Sequence, residues 1–131
     1  MTQEDKELLL KDLCARLPYG VKIEITHWRN RDKGMIDSKI FLPLDINKAS
    51  VLIKPTSDIR PYLFPLSSMT DEQKKELEDT LIKMNLKALS DEINSEDIAA
   101  YEIDFYNKHH IDYRGLIPKG LAIDATGLNI Y

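Results

Sequence analysis

Covalent cross-links, long apolar runs and an excess of basic charge are all missing from this chain, and each absence removes a class of protein. A single cysteine, Cys14, stands among 131 residues, so no intramolecular disulfide can form. A chain without a disulfide framework fits a reducing compartment. No apolar run approaches the roughly eighteen residues of a membrane span. The opening from Met1 to Lys6 is polar and acidic, and Leu8 to Leu10 is too short for a signal-peptide core. A cytoplasmic protein without membrane association is therefore expected. With 18 Lys and Arg against 22 Asp and Glu the net charge is -4 and the pI is near 5.4. This balance disfavours general nucleic-acid binding, because phosphate contacts need clustered cations. Short catalytic motifs are absent too: there is no GxSxG, P-loop, dinucleotide fingerprint, CxxC or HExxH. Those absences lead to a non-enzymatic reading with no cofactor, no metal and a protein as partner.

What is present is a run of amphipathic segments with no repeat and no domain boundary, so residues 1–131 are expected to form one compact domain. Thr2 and Asp5 resemble a capping box, and Leu9, Leu10, Leu13, Cys14 and Leu17 recur at helical spacing; the pattern predicts a helix over Gln3 to Leu17 with Cys14 buried. From Val21 the period becomes two, with Val21, Ile23 and Ile25 on one face, His27 continuing it and Trp28 opposite. A charged turn from Arg29 to Gly34 predicts a hairpin into a second strand within Ile36 to Leu44, and Ser50 to Lys54 reads as a third. Pro55, Pro61 and Pro65 then mark extended chain or an edge strand, since proline cannot donate to a ladder. Thr70 with Gln73 opens a second helix, with Leu77, Leu81, Met84, Ala88 and Leu89 as its buried stripe. The third helix, with Ile98, Tyr101, Phe105 and His109 on one arc, is the expected central packing element. The fold expected is α+β: an N-terminal helix, a three- or four-stranded antiparallel sheet, and two C-terminal helices packed on one face.

Three clusters carry candidate chemistry. His109, His110, Asp112 and Arg114 gather two imidazoles, a carboxylate and a guanidinium at the end of the third helix. Adjacent histidines on a helix point about 100° apart and suit one metal ion poorly. The simpler reading is structural, with Asp112 capping a turn and Gly115 or Gly120 taking a left-handed conformation. Lys22, Trp28, Arg29, Arg31 and Lys33, with His27, form a basic hairpin around one aromatic that a nucleobase can stack on. That makes a nucleic-acid-associated regulator the alternative to a protein-interaction role. Tyr62, Leu63 and Phe64, beside their prolines, are candidates for accepting a strand from a protein partner, against the plainer reading that they cover the core.

The segments CARLPYGVK at Cys14 to Lys22, SSMT at Ser67 to Thr70 after IRPYLFPL, and HHIDYRGLIPKGLAI at His109 to Ile123 give the chain a likeness. Together they resemble signatures of a family of short proteins from gut anaerobes and their prophages. The resemblance implies a single domain often carried on mobile DNA. It brings no established activity and no site residues to transfer.

Overall fold

The computed structural model describes residues 2–45 and 57–131. Of the turn expected at Asp45 to Lys48 only Asp45 is described, and the strand expected at Ser50 to Lys54 lies outside the described residues, as does Pro55. Helix α1 spans Gln3–Arg16 and opens on the expected capping box: the Thr2 hydroxyl accepts from Asp5 N, and the Asp5 carboxylate accepts from Thr2 N. Pro18 falls in the short 3-10 turn Leu17–Tyr19, and Gly20, at φ 68°, turns the chain into the sheet.

Strand β1 is Lys22–Asn30, β2 Met35–Pro43 and β3 Ser57–Pro65. Both β2 and β3 pair antiparallel with β1, one on each side, in registers that set Ile25 opposite Ile40 and Ile59. Two two-residue strands, β4 (Ile111–Asp112) and β5 (Ile123–Asp124), then pair with the C-terminal half of β3 in parallel. The sheet is mixed but mostly antiparallel, in the order β2-β1-β3-β4 with β5 also on β3. The class expected from sequence, α+β with one N-terminal helix and two C-terminal ones, is the class found.

One expectation about the sheet is overturned. The proline-marked strand β3 is interior, paired on both sides. It tolerates its prolines because of where they fall: Pro61 faces Ile23, whose backbone groups turn to β2, so no β1–β3 hydrogen bond needs its missing donor, and Pro65 is the last residue of the strand.

The core forms where α1 lies on the sheet. Leu9 of α1, Ile23 of β1, Ile59 and Leu63 of β3, and Leu116 from the chain after β4 have no exposed surface. Each such burial contributes about 1.5–3 kcal/mol. Two helix expectations shift accordingly. The buried face of α1 carries Leu9, Asp12, Leu13 and Arg16, leaving Leu10 and Cys14 exposed. The central packing role expected of the third helix belongs to α1 and the 116–122 segment, since α3 contributes no residue to the main core cluster.

Helix α2 (Asp71–Leu89) opens on the expected Thr70–Gln73 capping box, and α3 (Ser95–Lys108) on a further one from Asn94 and Asp97. Helix α2 packs on α3, which meets β4 and α1. Of the stripe expected on α2, Leu77 is buried, Leu81, Met84 and Ala88 are half-buried, and Leu89 is 84% exposed.

Candidate functional site

Alternation along β1 sends Ile23 and Ile25 to the core and Lys22, Glu24 and Thr26 to the opposite face. A bulge shifts the register between His27 and Trp28, setting Trp28 opposite Ile36. The pairings place Lys39 and Phe41 of β2 and Asp58 and Arg60 of β3 beside this second set. The result is a sheet face built of aromatics and charges. At its centre lies an open cleft of about 280 Å³, lined by Thr26, Trp28, Ile36, Lys39, Asp58, Arg60 and Gly120.

Trp28 is held rigidly at this cleft. Its indole N–H donates to Asp58 Oδ2 at 2.8 Å, and Arg31 both pairs with Asp58 Oδ1 at 3.0 Å and lies 5.8 Å from the Trp28 ring centre. On the same face Glu24 accepts from Arg60 at 3.0 Å and from the Tyr62 hydroxyl at 3.3 Å, with Lys39 at 3.8 Å. Partial burial pushes the Glu24 carboxyl up, but the Arg60 hydrogen bond and the Lys39 charge outweigh it and hold the group below the usual range. The same burial, with Glu24 beside it, raises the Tyr62 phenol. Phe41 meets the Tyr62 ring edge-on at 5.3 Å.

The basic hairpin expected from sequence is only partly assembled. Trp28 and Arg31 come together, whereas Lys22 sits at the other end of β1. Its Nζ donates to Ile130 O and lies near the Phe41 and Tyr131 rings. Arg29 pairs with Asp37 at 3.8 Å on the exposed outside of the hairpin, and Lys33 N donates to Asn30 Oδ1 within the turn. His27 is bonded to Ser57 Oγ through Nδ1 at 2.7 Å.

The cluster at the end of α3 is built into the framework. Asp112 is buried and its two oxygens accept from Leu116 N and Ile117 N, both at 2.9 Å, so it caps the turn that follows. Arg114 reaches back to α1, with Nε 3.3 Å from Asp12 Oδ1, while its Nη2 donates to the Tyr113 hydroxyl at 2.7 Å. The two imidazoles diverge. His109 packs on Phe105 at 4.5 Å, and His110, at φ 59°, stacks on Tyr131 at 3.8 Å. Burial first, then the Arg16 charge, pushes the His110 imidazole down to about 4. Among the described residues no group of three His, Cys, Asp or Glu side chains is placed to hold a metal ion.

Tyr62, Leu63 and Phe64, expected as a strand-accepting edge, lie in interior β3. Leu63 is fully buried and Tyr62 nearly so, and Phe64 N donates to His110 O at 2.8 Å. An incoming strand has no open ladder there.

Sequence reasoning missed the buried charge centre of α1. Asp12 and Arg16 were visible as an i, i+4 ion pair, but such pairs belong to solvated faces far more often than to cores. None of the described helices is long and apolar enough to cross a membrane. No protein-family model matches this chain, and neither a curated protein nor a solved structure does.

Proposed function

We propose that this is a non-enzymatic interaction or accessory protein that docks a protein partner on the cleft face of its sheet. The observation that carries the reading is Trp28, fixed between Asp58 and Arg31 at an open cleft. Buried Trp, Tyr and Arg side chains dominate binding at protein interfaces, and a pre-positioned ring loses little conformational freedom on binding. The charges on this face favour a protein over a polyanion. Arg31, Lys39 and Arg60 each have a carboxylate within 4 Å, from Asp58 or Glu24. A phosphate backbone would have to compete with those carboxylates, whereas a protein surface of mixed charge has counterparts for both signs.

The test is a tagged pull-down from host lysate at low salt, with wild type, Trp28→Ala and Lys39→Glu, each confirmed folded by its melting curve and each split into nuclease-treated and untreated halves. One stoichiometric protein, retained by wild type after nuclease and lost by both variants, is the expected result. Retention by both variants overturns the face. Recovery of nucleic acid, or of proteins that vanish with nuclease, replaces the reading with a nucleic-acid-associated regulator.

A further inference from the structure

Strand β2 is outermost in the sheet order, and among the described residues no strand pairs with its outer side. It is also unusually apolar for an edge: Met35, Ile36, Ile40 and Phe41 are 45%, 45%, 44% and 51% exposed. A long apolar edge is a template for another strand unless it is blunted. Here the blunting sits at the two ends. A bulge at Asp37, which no β1 residue faces, interrupts the ladder at one end, and Pro43 closes the other, leaving Ser38 to Leu42 regular.

The direction of the backbone groups follows from one hydrogen bond. Leu44 N donates to Val21 O at 2.9 Å, continuing the register in which Leu42 faces Ile23 and Ile40 faces Ile25. In an antiparallel ladder alternate residues turn their N–H and C=O groups toward the partner. Leu42, Ile40 and Ser38 therefore turn theirs to β1, and Phe41 and Lys39 turn theirs outward. Pro43 shares the outward phase, where its missing donor leaves the β1 ladder untouched.

We infer that the occupant of this edge is β2 of a second copy, paired antiparallel about a two-fold axis at Ile40. In that register Lys39 faces Phe41 of the second copy, and the two such pairs exchange four backbone hydrogen bonds. Ile40 meets its own counterpart at the close, non-hydrogen-bonded position, and the symmetric contact closes on itself. No like charges stand directly opposite: Lys39 meets the Phe41 ring, which already has Lys22 Nζ at 5.9 Å, and Asp37 falls opposite Pro43. Both blunted ends coincide with the ends of the seam. A register centred on Ser38 would pair Asp37 with Lys39 but would run the ladder through the bulge. A seam of five residues per copy is smaller than the roughly 800 Å² per partner of stable complexes, so the dimer is weak and concentration-dependent. Pairing sets the two Trp28 faces side by side in one continuous sheet.

Sedimentation equilibrium of the full chain from about 1 µM to 1 mM tests this, since weak interfaces populate in that range. The apparent mass is expected to rise from 15.1 kDa toward twice that value. Lys39→Pro removes an outward donor and spares the β1 ladder, so it is expected to keep the wild-type melting point within a few degrees and to stay monomeric throughout. Ile40→Lys, which sets two ammonium groups against each other, is expected to do the same. A wild-type mass that stays at the monomer value to 1 mM overturns the proposal. So does a dimer that survives in a folded Lys39→Pro protein, which would place association on another surface such as Ile82, Leu86 and Leu89 of α2. Neither outcome bears on partner capture by Trp28, which Trp28→Ala, outside the seam, reads separately in the pull-down.

Discussion

Arg16 and Asp12 face each other one helical turn apart with no exposure to solvent, Nε to Oδ2 at 2.9 Å. The pair does more than neutralise itself. Arg16 Nη2 donates to Ile111 O at 2.6 Å and its guanidinium lies 5.4 Å from the Tyr113 ring centre, while Asp12 also meets Arg114. Helix α1 is thereby tied to the segment that follows α3. Burial holds the Asp12 carboxyl above its ordinary value, although the two guanidinium groups pull against it. Removing one partner strands the other charge in the core. Asp12→Ala is expected to cost about 3–5 kcal/mol in urea unfolding, and the double change Asp12→Leu with Arg16→Met substantially less than the sum of its singles. Additive losses would show that the two side chains act independently.

The stacked His110 gives the fold a pH dependence of definite sign. Its imidazole titrates near 4 in the folded chain and near 6.5 when unfolded, because burial and the Arg16 charge disfavour the cation. Below 6.5 the unfolded chain takes up a proton that the folded chain refuses, so stability falls as pH drops from about 7 toward 4. Solvent screening at this half-buried ring reduces the contribution between pH 7.5 and pH 5 to about 1 kcal/mol. His110→Asn, which tolerates the positive φ, is expected to lose less stability over that interval than wild type by about this amount. Equal losses in the two proteins would remove His110 as the source.

Which parts of this architecture were legible depends on how local their causes are. The Thr2 and Thr70 caps act within three residues and were read correctly, as was the period-two pattern of β1. Helical spacing on α1 offered two adjacent apolar rows. The choice between Leu9 with Leu13 and Leu10 with Cys14 was settled by the distant partners of Arg16 and Asp12, which no local pattern carries. Interior placement of β3 depends on β4 and β5, each two residues long and more than forty residues away in sequence. At the candidate site Trp28 and Arg31 were legible as neighbours in a hairpin. Lys22 shares the charge of Arg31 but not its place, since six strand positions separate Lys22 from Trp28, about 20 Å at strand rise.

Tyr131 completes the sheet where β1 and β3 part. Its hydroxyl accepts from Lys22 N at 2.8 Å and donates to Tyr62 O at 2.7 Å, bridging two backbone groups next to Pro61. Burial pushes this phenol up to about 12, so it keeps its proton at neutral pH. Tyr131→Phe retains the stack on His110 but orphans both backbone groups. The expected loss is about 1–3 kcal/mol, read by urea unfolding. Hydrogen exchange at Lys22 is expected to accelerate before the global transition, and unchanged protection there would mean that water replaces the hydroxyl without cost.

Cys14 sits on the exposed side of α1, one position beyond the buried Leu13. A solvent-facing thiol reacts with an aromatic disulfide reagent in the native state, whereas a core thiol waits for unfolding. Native protein is therefore expected to release one equivalent of chromophore at a rate within about tenfold of the urea-unfolded chain, because exposure leaves little protection. Cys14→Ala is expected to change stability by no more than about 0.5 kcal/mol, as surface substitutions do, and alanine favours the helix. Protection of more than a thousandfold, or a loss of several kcal/mol in Cys14→Ala, would instead put Cys14 on the buried face and require α1 to be rotated by about one residue, which would expose Arg16 and break its contact with Ile111.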